Sequence, residues 1–218
     1  MDGKFELGVS VKDGIDSMLI EYGEYALDTF FEDISLKNIP IVGTAFSLIK
    51  IGKGIHENIF LCKLKSFLKN IDENPKWKER FSNEGECKKI AKHLLYVIDA
   101  CDEDDKLELI GLAFNYFVNE KLDSDEFFYV VDIISKSFYP YLEVLMEIDE
   151  ADERIKNDGS KYDYYAITHL LNIGLLDFDG QTPFLTDSHG RAERPSIIVA
   201  QNGYSVFLRE LLKAHNQS

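Results

Sequence analysis

Cysteine is scarce in this chain: Cys62, Cys87 and Cys101 are the only three among 218 residues. An odd and small number builds no disulfide framework, and it points to reduced thiols in a cytosolic compartment. Five prolines and 14 glycines are too few for a fibrous or low-complexity chain. No apolar run approaches the roughly 20 residues that a membrane-spanning helix requires. The longest weakly polar stretch, Ile39 to Ile49, is diluted by Pro40, Gly43, Thr44 and Ser47. The opening MDGKFELGVSVKDGIDSML lacks the charged-then-apolar layout of a secretory signal, has no glycine at position 2 to acylate, and the final HNQS is no prenylation box. Basic residues are also short, 24 against 39 acidic, for a net charge of −15. A general nucleic-acid binder is not expected from that balance, because phosphate contacts need clustered Lys and Arg.

The familiar chemical motifs are missing as well. There is no GxGxxG, no GKS or GKT and no GxSxG, and Gly52-Lys53-Gly54 is too short to cradle a phosphate. The five histidines (56, 93, 169, 189, 215) show no HxxxH or HxH spacing and the cysteines no CxxC, so zinc is not expected. Asp102-Glu103-Asp104-Asp105 lacks the alternating ligands and glycine of a calcium loop, and its acids read as dipole partners for the helix that follows. Asp177-Phe178-Asp179-Gly180 has no closing Glu and reads as a hairpin turn. Ser188-His189 are neighbours in sequence, which does not make a triad. Cys62 and Cys101 fall on apolar helix faces as core residues. The reading is of a non-enzymatic protein with no catalytic, cofactor or metal-binding residues.

What the chain does have is core material: 45% of residues are hydrophobic, with 15 Phe and 11 Tyr. That excludes intrinsic disorder and suffices for one large domain, or one ordinary domain with an appendage. Charge is distributed unevenly. Residues 1–35 carry a net −7, residues 36–70 a net +5, residues 71–159 a net −12 and residues 160–218 a net −1. Two readings of the basic segment compete. In one, its helix packs among acidic helices of the same domain and neutralises them. In the other, Lys50, Lys53, Lys63, Lys65 and Lys69 meet an anionic surface, either a membrane or an acidic partner.

Helical periodicity predicts helices over Ile15–Glu32 and Gly43–Lys69, with a break at Ser35–Pro40 between them. A short helical turn is expected around Trp77–Phe81, ahead of two amphipathic helices marked by Ile90, Leu94, Val97, Ile98 and Cys101, then by Leu107, Ile110, Phe114, Phe117 and Val118. Asp123 and Glu126 have capping-box spacing ahead of Phe127, Val130, Val131, Ile134 and Phe138. Pro140 then kinks or splits the run near Tyr139. Glu147 to Ser160 is polar and reads as an exit and domain boundary. Beyond it come a helix through Tyr162, Tyr165, His169 and Leu170 stopped by Gly174, a strand at Leu175–Phe178, a mobile loop at Asp187–Pro195, a strand at Ser196–Ala200 and a final helix with Tyr204, Phe207 and Leu211. The fold class is mainly α: a bundle of about six helices over residues 1–155, then a small α+β module over 160–218.

The pieces HLLNIGLLDFD and IIVAQNGYSVFLREL resemble the second half of a winged-helix domain, over about residues 161–214. The resemblance implies a strand, a small turn and a glycine opening the last helix, here Val199, Ala200 and Gly203. It also implies a recognition helix, here offering Tyr162, Asp163, Tyr164, Thr168, His169 and Asn172, with Lys161 its one basic residue. That departs from the Arg, Asn or Lys of DNA-binding members and leaves protein contact or dimerisation. Separately, Ile39-Pro40-Ile41-Val42-Gly43 and Lys65-Ser66-Phe67-Leu68 resemble an uncharacterised group of bacterial helical proteins. That likeness implies a bacterial or phage-related origin, in the company of phage defence, and no mechanism.

The functional expectation is an interaction or regulatory protein in the cytoplasm whose C-terminal module contacts a protein partner or a second copy. Its candidate contact residues are Tyr162, Tyr165, His169, Tyr204, Phe207 and Arg209, with strand Ser196–Ala200 and helix Tyr204–Lys213 as the surfaces concerned. The aromatic cluster of Tyr162, Tyr164, Tyr165, Phe184 and Tyr204 offers either a base-stacking surface or, without nearby positive charge, packing and interface contacts. Three alternatives stand: a defence or toxin-type effector acting peripherally at the inner membrane through helix 43–69, a DNA-binding regulator, and a DNA mimic using the acidic face of residues 71–159. No small-molecule ligand is indicated.

Overall fold

A computed structural model describes residues 55–71, 80–81, 83–183, 185–186, 192–193 and 195–217. The expected helix at Ile15–Glu32, the Ile39–Gly43 lead-in, and Lys50 and Lys53 lie outside the described residues. So do Trp77, Phe184 and Ser188-His189. Seven helices and five strands occur among the described residues, giving a mainly helical protein with a small antiparallel sheet near its C-terminus. The chain divides into two compact units, Met1–Asp123 and Ser124–Ser218. The polar stretch 147–160, read from composition as a boundary, therefore lies inside the second unit.

In the first unit α1 spans Ile55–Leu68, α2 Glu84–Ala100 and α3 Asp104–Val118. The apolar stripes of all three turn inward, and Leu64, Phe67, Ile90, Leu94, Ile98, Leu107 and Phe114 are almost completely buried. Each such side chain contributes about 1.5–3 kcal/mol by leaving water. Phe67 meets Phe114 edge-on at 5.8 Å, and Phe81 stacks on Phe114 at 6.0 Å. Helices α1 and α3 approach so closely at Gly111 that a Cβ there would sit under 3.0 Å from the carbonyl oxygen of Phe67. Only glycine fits such a crossing. Cys101 is buried as expected, and desolvation pushes its thiol up, whereas Cys62 is half-buried.

The acids at 102–105 do not cap α3 by a side-chain hydrogen bond, since the N-cap Glu103 makes none. Asp104 and Asp105 instead place negative charge in its first turn, Asp104 accepts from the Ser66 hydroxyl at 2.8 Å, and Glu103 pairs at 2.8 Å with the buried ammonium of Lys106.

In the second unit α4 spans Ser124–Lys136 and α5 spans Tyr139–Glu147. Pro140 stands in the first turn of α5, where its missing N–H costs nothing, and the chain breaks at Ser137–Phe138 as the proline predicts. Next come β1 (Ile155–Asn157), α6 (Tyr164–Asn172), β2 (Leu176–Gln181), β3 (Leu185–Thr186), β4 (Ala192–Glu193), β5 (Ile197–Gln201) and α7 (Gly203–His215). The sheet order is β1-β5-β2, all antiparallel, while β3 and β4 pair as a separate hairpin. Strand β1 is too short for its period to register in sequence, yet Ile155 and Asn157 are buried and Lys156 exposed. The turn expected at Asp179-Gly180 is instead a bulge inside β2: Phe178 pairs with Val199 and Gly180 with Ile198, leaving Asp179 extra. Part of the expected loop, Ala192–Glu193, is strand. Helix α7 starts at a capping box in which Asn202 Oδ1 accepts from the Ser205 amide and the Ser205 hydroxyl from the Asn202 amide.

Candidate functional site

The second unit buries an aliphatic core of Val130, Ile134, Leu142, Leu170 and Leu208 and leaves several aromatic rings outside it. Helix α6 begins where the Asp163 carboxylate accepts from the Ala166 amide at 2.8 Å. With Ala166, Ile167 and Leu170 turned inward, Tyr164 is 46% and Tyr165 70% exposed, and the two rings meet edge-on at 5.5 Å. His169, one turn beyond Tyr165, is half-buried beside the Tyr141 ring at 5.4 Å. Tyr141 in turn meets Phe138 edge-on at 5.0 Å. The break before Pro140 takes Phe138 out of the helical period and leaves it 52% exposed. Its amide donates to His169 Nε2 at 3.3 Å, so that nitrogen is the unprotonated one in this geometry. Phe138, Tyr141 and His169 thus form a run of rings from the start of α5 to α6, and Tyr164 and Tyr165 a pair at the start of α6.

Two predicted contact residues are not surface groups. Tyr162 is buried. Its hydroxyl donates to Asp152 at 2.5 Å and accepts from the Asp149 amide at 3.2 Å, fastening the loop after α5. Arg209 is only 2% exposed. Its Nε donates to the Leu145 carbonyl at 2.7 Å and its Nη2 to Gln201, so the guanidinium closes the C-terminal turn of α5. In sequence both looked like interface residues by type; a hydroxyl and a guanidinium serve equally well as internal fasteners. Tyr204 is half-buried with its ring 4.6 Å from that of Tyr129, and Phe207 is half-buried on α7. Of the six, Tyr165 is exposed and His169 half-buried beside Tyr141. Phe138 and Tyr141 were missed as site residues, although the Pro140 break was the signal that could have separated them from the core.

Beside Arg209 opens a cleft of about 440 Å³ lined by Glu150, Asp152, Glu153, Gln201 and Val206. Lys213 reaches Glu150 at 3.1 Å. The Lys161 ammonium, followed by the Tyr162 hydroxyl, holds the Asp152 carboxyl below the usual carboxylate range. Glu150 and Asp152 are thus paired within the unit. No three metal-ligating side chains come together among the described residues.

In the first unit, Lys63 donates to the Asp99 carbonyl at 2.6 Å, and Lys69 pairs with Glu108 at 2.8 Å, which raises its own titration point. Lys65 is exposed in the last turn of α1. Two of the three described lysines of the basic segment are therefore engaged by α2 and α3. No described helix is long and apolar enough to cross a membrane. Comparison with family models, curated proteins and solved structures found no match.

Proposed function

We propose that the chain is a non-enzymatic interaction protein whose C-terminal elements hold a partner protein through the aromatic face of α5 and α6. The observation that carries this reading is the set of exposed rings Phe138, Tyr164 and Tyr165 beside half-buried Tyr141 and His169. Rings of this kind offer large contact area at little conformational entropy and are enriched at protein interfaces. The winged-helix reading gains support from the β1-β5-β2 order and from the β3–β4 hairpin inserted between β2 and β5. Protein rather than DNA contact is favoured because α6 carries no Lys or Arg, and Lys161 before it is paired with Asp152 at 2.6 Å.

The test places a photo-cross-linking phenylalanine analogue at position 165 and, as a control, at exposed Asn216, in the cells that make the protein. Light scattering measures the mass of the purified chain. A discrete cross-linked partner from 165 and not from 216, abolished by Phe138→Ala, is the expected result. A dimer dissociated by Tyr165→Ala would identify the partner as a second copy. A 25.0 kDa monomer with no cross-link from 165 overturns the reading.

A further inference from the structure

The outer face of α2 is unlike the rest of this acidic protein. The Asn83 side chain opens the helix by accepting from the Gly85 and Glu86 amides, and Ile90, Leu94, Val97 and Ile98 fix its buried side. Opposite them Lys88, Lys89, Lys92 and Tyr96 are all exposed, and Tyr96, at 75%, is the most exposed large hydrophobic residue described. Lys92 follows Lys88 by four positions and Lys89 by three, so the three ammonium groups share one face, with Tyr96 one turn further along. Like charges at those spacings destabilise a helix. The macrodipole does not favour them either, since all three stand in its first two-thirds and the last turn holds no basic residue. Lys92 forms no ion pair with any described residue. Helix stability does not account for its charge; an anionic group brought between the lysines would.

We infer that Lys88, Lys89, Lys92 and Tyr96 dock an acidic segment of a partner protein. Three observations select this occupant. The lysine end of the face is positive within a chain of net charge −15, with exposed Asp99 beyond Tyr96 at its other end, so it complements a short acidic segment. An extended polyanion such as nucleic acid or an anionic membrane would be opposed by the net negative charge of the chain. A well-exposed Tyr beside the charges supplies the aromatic anchor typical of protein interfaces. The site lies in the first unit and is independent of the aromatic face on the second, so either can fail without the other.

The full chain would be titrated with a fluorescent oligoglutamate peptide bearing a central leucine, and in parallel with oligothymidylate and with phosphatidylserine vesicles. Saturable peptide binding is expected, weakened roughly tenfold or more as salt rises from about 0.02 to 0.3 M. Lys89→Glu with Lys92→Glu should weaken it by at least about tenfold, and Tyr96→Ala by several-fold with the salt dependence kept. Far-ultraviolet circular dichroism, and the milder Lys89→Gln with Lys92→Gln pair, separate loss of the face from loss of fold. Absent peptide binding, or binding indifferent to these variants, overturns the inference. So does tighter binding of oligothymidylate or vesicles that the same variants abolish, which would assign the face to nucleic acid or lipid.

Discussion

The two units use their aromatic residues in opposite ways. In the first, Phe67, Phe114 and Phe117 are fully covered and make ring-to-ring contacts around a glycine crossing, and among the described aromatic residues only Tyr96 stands well out. In the second, Phe127 is covered, but Phe138, Tyr164, Tyr165 and Phe178 stand in solvent over an aliphatic core. Rings inside contribute to stability; rings outside contribute nothing to it unless something covers them. The contrast separates what holds the chain together from what is available for recognition.

The sharpest way to break that contrast is at the helix crossing. Gly111→Ala drives a Cβ into the Phe67 backbone, which cannot turn aside as a side chain would, so α1 and α3 must separate. We expect a loss of about 3 kcal/mol, read as the urea midpoint by circular dichroism. Tyr165→Ala should change stability by about 0.5 kcal/mol or less. If the two variants proved equally costly, the exposed rings would be structural and the distinction would collapse.

Arg209 gives the next largest effect, within the second unit. Arg209→Met removes the donors to the Leu145 carbonyl and to Gln201 from a site with little access to water. A loss of about 2–3 kcal/mol is expected, with faster amide exchange at the end of α5. Arg209→Lys should recover less than half, because an ammonium cannot span both acceptors as the planar fork does. Full recovery by lysine would show that charge, not the fork, matters at this helix end.

Arg209 also shows where sequence reading stopped. The apolar periods of α2 through α5, the split at Pro140 and the final strand and helix were legible, because each rests on local spacing, on one proline or, for the strand, on β-branched content. Strand β1 was not: three residues hold too little pattern, and Ile155 becomes a core residue only once β5 pairs with it. Asp179-Gly180 looked like a turn because the residue types suit one, but cross-strand register made it a bulge. At the candidate site the resemblance directed attention to α6 through Tyr164 and His169, while Tyr165 was read from its residue type. It could not say that Tyr162 and Arg209 face inward, since that depends on Asp152, Leu145 and Gln201 arriving from elsewhere in the chain.

The smallest effect comes from one motif solved differently in the two units. Helix α6 ends with the Gly174 amide donating to Leu171 and the Leu175 amide to Leu170, the paired bonds of a Schellman ending, with Gly174 at φ +81°. Helix α3 ends the same way: the Glu120 amide donates to Phe117 and the Lys121 amide to Tyr116, but the left-handed position, φ +60°, holds a glutamate. An L side chain there costs about 1–2 kcal/mol, which glycine avoids at the expense of some unfolded-state entropy. Gly174→Ala should therefore destabilise by about 1–2 kcal/mol. A methyl group at 174 would also press on the Tyr129 hydroxyl, at 2.5 Å, so Tyr129→Phe should return part of the loss. Glu120→Gly should do the reverse and stabilise by about 0.5–1 kcal/mol. Opposite signs for the two swaps in thermal unfolding would show that backbone conformation governs both ends; the same sign would mean that the Glu120 side chain holds its helix end by a contact stronger than the strain.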